Sequence, residues 1–94
     1  MPLFVIERNF AEQLEVTKEA ADAVNAINLE EEARWLFSFL SADKKKTYCL
    51  YEAPSVEAIR KAAERAGLPA DVITEVTGIN SQGDVAAIRP ETFA

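Results

Sequence analysis

The stretch EARWLFSFLSADKKKTYCLYEAPS, residues 32–55, decides the fold. Two apolar runs flank a polar, charged centre. The first, Ala33–Leu40, is rich in aromatic residues and reads as a strand. Ser41–Lys45 holds turn-forming and charged residues, so it closes a hairpin. Lys46–Ala53 is the returning strand, and Pro54 ends it, because proline has no amide hydrogen to give a ladder. Both strands are apolar on both faces. The helices of a short chain cover one face of a sheet, so the other face needs a cover of its own.

The rest of the chain supplies the partners of this hairpin. Upstream, Leu3–Arg8 reads as a buried strand and Asn9–Val16 as a connection. Thr17 is the N-cap of a helix over Lys18–Leu29, in which Ala20, Val24 and Ile27 recur at helical spacing. Downstream, Ser55 caps a second helix with Val56, Ile59, Ala62, Ala63 and Ala66 as its inner stripe. Gly67 supplies a left-handed stop, and Pro69 prevents continuation. Val72–Thr77 alternates and reads as the last strand. The order β-α-β-β-α-β with right-handed crossovers gives an α+β, ferredoxin-like domain over residues 1–77. Its four-stranded antiparallel sheet carries both helices on one face. Residues 78–94 read as a tail or arm without periodicity.

Strand side chains alternate between faces. One consistent assignment puts Phe4, Ile6, Trp35, Phe37, Phe39, Cys49, Tyr51, Val72, Thr74 and Val76 under the helices. Leu3, Val5, Glu7, Arg34, Leu36, Ser38, Leu40, Tyr48, Leu50, Glu52, Ile73 and Glu75 then face outward. The centre of that outer face is apolar and exceeds what monomers usually leave wet. A second copy, sheet against sheet, is the simplest cover. The tail residues Val85, Ile88 and Phe93 are another, or a reach across to the partner. Glu7, Arg34, Tyr48, Glu52 and Glu75 lie among the apolar residues of this face and are the candidate ligand-binding residues. Two readings stand: Arg34 pairs with Glu7 or Glu52 while Tyr48 packs at an interface, or the group lines a pocket between sheets.

Composition narrows the function. The chain has 94 residues, enough for one domain, and a net charge of −6. That charge opposes a nucleic-acid partner, which needs a basic face. No apolar run approaches a membrane span, and MPLFVIERNF lacks the basic leader and cleavage site of a signal peptide. The single cysteine, Cys49, forms no intrachain disulfide and fits a reducing, cytoplasmic setting. Histidine is absent, which removes the commonest metal ligand and general base at neutral pH.

The segments MPLFVIER, YCLYEAPS and RAGLP, within residues 1–77, resemble a family of small bacterial proteins of unassigned function. One branch of that family is described as nickel-binding, with a ferredoxin-like fold and a homodimer. The resemblance implies a dimeric α/β barrel. It also implies histidines in the second helix of the nickel-binding branch. Here that helix reads VEAIRKAAERAG, so no nickel site is carried over to any position.

Other constellations read as structure. Glu30, Glu31 and Glu32 oppose the dipole of the first helix and read as a solvated loop, with a hard-cation site as the alternative. Lys44, Lys45 and Lys46 read as a soluble hairpin tip. Cys49 and Trp35 read as core. The expectation is a non-catalytic small-ligand-binding or accessory homodimer without a cofactor. One alternative is a cofactor-free oxygenase- or isomerase-like enzyme using Tyr48 or Glu52 with Arg34. Another is carboxylate-based binding of a divalent metal.

Overall fold

The computed structural model describes residues 1–86. Its elements are, in order, β1 (Leu3–Asn9), α1 (Lys18–Glu30), β2 (Arg34–Leu40), β3 (Lys46–Glu52), α2 (Val56–Ala66), β4 (Val72–Val76), β5 (Gly78–Ile79) and β6 (Val85–Ala86). β1 to β4 form one antiparallel sheet in the order β2-β3-β1-β4. This α+β arrangement is compatible with a ferredoxin-like fold.

The helix ends follow the sequence signals. The Thr17 hydroxyl accepts from Ala20 N at 3.1 Å, and the Ser55 hydroxyl accepts from Ala58 N at 3.2 Å. Gly67 has φ +69°, the left-handed conformation that costs glycine least, and Leu68 N then donates to the Ala63 carbonyl at 2.9 Å. The acidic end of α1 is tied down rather than simply solvated. Arg65 of α2 donates to Glu30 at 2.6 Å and to Glu31 at 2.7 Å. Lys61 adds a contact to Glu31 at 3.6 Å. These cations offset the unfavourable placement of acids at a helix C-terminus. The Arg65 hydrogen bond, helped by the charge of Lys61, holds the Glu31 carboxyl below its ordinary value.

The core sits between the sheet and the helices. Phe4 and Ile6 of β1, Cys49 and Tyr51 of β3, and Ile59, Ala62 and Ala63 of α2 are all buried. Two strands depart from the expected facing. In β2 the register with β3 shifts between Trp35 and Phe37, so Leu36 is the extra residue of a bulge. Trp35 stays opposite Tyr51, but Phe37 pairs with Leu50 and Phe39 with Tyr48. Phe37 and Phe39, expected under the helices, therefore lie on the open face. Ser38 and Leu40, expected outside, lie on the helix side opposite Cys49 and Thr47. The Trp35 indole donates to the Ser38 hydroxyl at 2.8 Å, three positions apart yet on one face because of the bulge. In β4 the phase is inverted. Ile73 pairs with Ile6 and Glu75 with Phe4 on the helix side, whereas Val72, Thr74 and Val76 face outward.

The segment read as a tail contains a hairpin. β5 and β6 pair with each other, apart from the main sheet. Asn80 builds the turn by accepting from Gln82 N at 3.0 Å and Asp84 N at 2.9 Å. Val85 is 75% exposed on this hairpin, and Ile88 and Phe93 lie outside the described residues.

Candidate functional site

Two features stand out: a cavity on the helix side and an apolar surface on the other. The cavity follows from side-chain size. The sheet-facing stripe of α1 carries Ala20, Ala21 and Val24, and the sheet beneath carries Ser38, Thr47 and Cys49. Short side chains on both sides cannot close the gap. α1 buries only Asn28 fully, near its C-terminus, where Asn28 Nδ2 donates to the Tyr51 hydroxyl at 3.1 Å. Towards the N-terminus of α1 a cavity of about 620 Å³ opens, roofed by the loop that carries Phe10 and Leu14. That loop is pinned to the hairpin tip, where Phe10 N and Leu14 N donate to the carbonyls of Lys45 and Lys44. The tip is therefore a support for the cavity roof as well as a soluble turn.

The polar end of the cavity is Arg8. It shares the phase of Phe4 and Ile6 and is only 3% exposed. Its Nη1 donates to the Pro69 carbonyl at 2.6 Å, and its guanidinium lies 5.8 Å from the centre of the Tyr51 ring. Burial pushes the Tyr51 phenol up, against the opposing influence of the Arg8 charge and the Asn28 hydrogen bond. Cys49 is buried against the same cavity, its thiol 3.5 Å from the Thr47 hydroxyl. Arg8 was not among the candidates drawn from the sequence. The signal was present, since a strand phase that buries Phe4 and Ile6 also buries residue 8.

The five candidates do not form one cluster. Glu7 lies opposite Tyr48 at one end of the open face, and its carboxylate meets Lys46 at 3.1 Å rather than Arg34. Lys46 also lies over the Tyr48 ring at 5.0 Å, and the hydrogen bond it donates to Glu7 leads the causes that raise its amine above the ordinary value. Arg34 and Glu52 are cross-strand neighbours at the far end of the same face. They also line a second concavity of about 670 Å³ with Met1, Asn25 and Leu29. Glu75 is exposed on the other side of the sheet. Neither concavity includes Tyr48, so of the two pairings in the enzymatic alternative only Glu52 with Arg34 shares a concavity.

Between these two ends the open face is apolar. Phe37, Phe39, Tyr48 and Val72 are 41%, 67%, 39% and 46% exposed, and Leu3, Val5, Leu50 and Val76 lie half-buried among them. The Phe37 and Phe39 rings meet edge to face at 5.3 Å. The bulge thus makes this surface more aromatic than simple alternation implies. No helix among the described residues is long and apolar enough to cross a membrane.

The donors for a transition-metal site are not gathered here. The sequence has no histidine and one cysteine, and that cysteine is buried. Among the described residues, no group of three His, Cys, Asp or Glu side chains is placed to hold a metal ion. Glu30 and Glu31 face Arg65 instead.

Residues 4–76, the span from β1 to β4, match the sequence model of a family described as SCO4226-like, nickel responsive protein SCO4226-like. The crystal structure of SCO4226 from Streptomyces coelicolor A3(2) matches with a TM-score of 0.69 at 29% identity, covering 79% of this chain and 94% of that one. No curated protein matches.

Proposed function

The chain belongs to this SCO4226-like family, and we propose that within it the protein is a non-catalytic small-molecule-binding module that works as a homodimer. The observation that carries the reading is the helix-side cavity. Its volume of about 620 Å³ falls in the range of small-molecule sites, and its walls are mainly apolar with a few convergent polar groups. The nickel in the family's description finds no fitting ligand set among this chain's described residues, and the mainly apolar cavity walls favour an organic ligand.

The homodimer rests on the open face. Phe37, Phe39 and Tyr48 stand out from it as neighbours on β2 and β3. A second copy stacked sheet to sheet buries this surface by a self-complementary, twofold contact. The two sheets then form the core of a dimeric α/β barrel, with both cavities on the outside. Glu7 and Lys46, paired at the end of the strands, form part of the polar rim of that contact.

Native mass spectrometry of the purified protein under gentle conditions tests both parts. The expected species has the mass of two chains plus a bound small molecule. Single chains with no added mass, at the highest soluble concentration, overturn the reading.

A further inference from the structure

Building on the cavity-binding reading, the chemistry of the cavity narrows its ligand to one class. Arg8 is a cation held at 3% exposure. Among the described residues no carboxylate pairs with it, and its hydrogen bond to Pro69 engages Nη1 at a neutral carbonyl. A guanidinium offers five N–H donors in a planar fork. A buried charge without a counter-ion is unfavourable, and the fork suits the two oxygens of a carboxylate. The carboxylate among the lining residues belongs to Glu15, which is exposed. Beyond Arg8 the apolar walls include Leu14, Val24, Trp35, Leu36 and Leu40.

We infer that the cavity takes a small monocarboxylate with an apolar, ring-sized body, its carboxylate seated on Arg8 and its body against Trp35. Tyr51, whose ring lies 5.8 Å from the guanidinium, lines the same cavity. The ligand thus supplies the counter-ion that the chain does not.

Trp35 is the only tryptophan, so its emission reports on the cavity wall directly. The experiment titrates 4-phenylbutyrate and its neutral counterpart 4-phenylbutanol into the full-length protein at pH 7. The carboxylate is expected to bind about tenfold or more tightly than the alcohol, as a charge-assisted hydrogen bond in a dry site requires. Arg8→Met should abolish that preference while leaving the alcohol's affinity in place, and Arg8→Lys should keep part of it. Equal or tighter binding of the alcohol to the wild type overturns the carboxylate assignment but leaves cavity binding standing. Binding of neither probe overturns both. A preference unchanged in folded Arg8→Met overturns the seat at Arg8. The wild-type comparison decides even where the Met variant fails to fold.

Discussion

Phe39→Ala separates a covered sheet face from a wet one. The ring is 67% exposed in the single chain, so about 130 Å² of it is available to a partner. At about 25 cal/mol per Å² that area is worth about 3 kcal/mol per protomer, and the twofold contact counts it twice. Interface ordering absorbs part of this gain, so a weakening of dimerisation by about 3 kcal/mol, roughly a hundredfold in Kd, is the expected outcome. Within one chain the loss is smaller. Phe39 gives up its edge-to-face contact with Phe37, about 1 kcal/mol. Sedimentation equilibrium over a dilution series reads the dimer constant, and urea unfolding of the dissociated protein reads the fold. If wild type and variant sediment alike at every concentration, the face is not an interface and the reasoning fails.

Four further outcomes rest on separate parts of the structure. The lowered Glu31 carboxyl stabilises the fold above its ordinary value of 4.5, and this contribution is lost as pH falls through the lowered value. Arg65→Ala should therefore reduce the urea midpoint at pH 7, and the deficit should shrink as pH falls below 4.5; a deficit that stays constant as pH falls contradicts the ion pair. Ser55→Ala removes the N-cap of α2, and Gly67→Ala forces a side chain into φ +69° with open space around it. Each should cost about 1 kcal/mol in urea unfolding, and no loss in either rejects that cap. Equilibrium dialysis against micromolar Ni²⁺ followed by elemental analysis should find no stoichiometric metal, whereas one retained ion per chain would show a ligand set that the described residues do not reveal.

The element order and the helix caps were legible because each signal is local. Thr17, Ser55 and Gly67 act within one turn of their own helix, and Pro54 acts on its own strand. Facing was less legible because it depends on pairing. One inserted residue, Leu36, reverses every later side chain of β2, and no residue in RWLFSFL marks the bulge. β4 reads equally well in either phase, with Val72 and Val76 on one face and Ile73 on the other. Its phase is fixed by Ile6 across the sheet rather than by its own pattern. Strands of two residues, as in β5 and β6, carry no alternation to read.

The candidate site shows the same division. The apolar open face was inferred from runs greasy on both sides, and the bulge added Phe37 and Phe39 to it in place of Ser38 and Leu40. The cavity was not inferred, since it arises from small side chains on two elements distant in sequence, Ala20 and Ala21 against Ser38 and Cys49. Arg8 was in plain view as a charge in the phase of the core, and that is the informative kind of exception to burial rules.

The most direct measurement of the covered face is an isotope-filtered nuclear Overhauser experiment on an equal mixture of ¹³C-labelled and unlabelled protein. Stacked sheets predict inter-copy cross-peaks between the rings of Phe37, Phe39 and Tyr48 and the apolar residues of the same face in the second copy. A spectrum with no inter-copy peak at those rings, recorded at millimolar protein, would contradict the account.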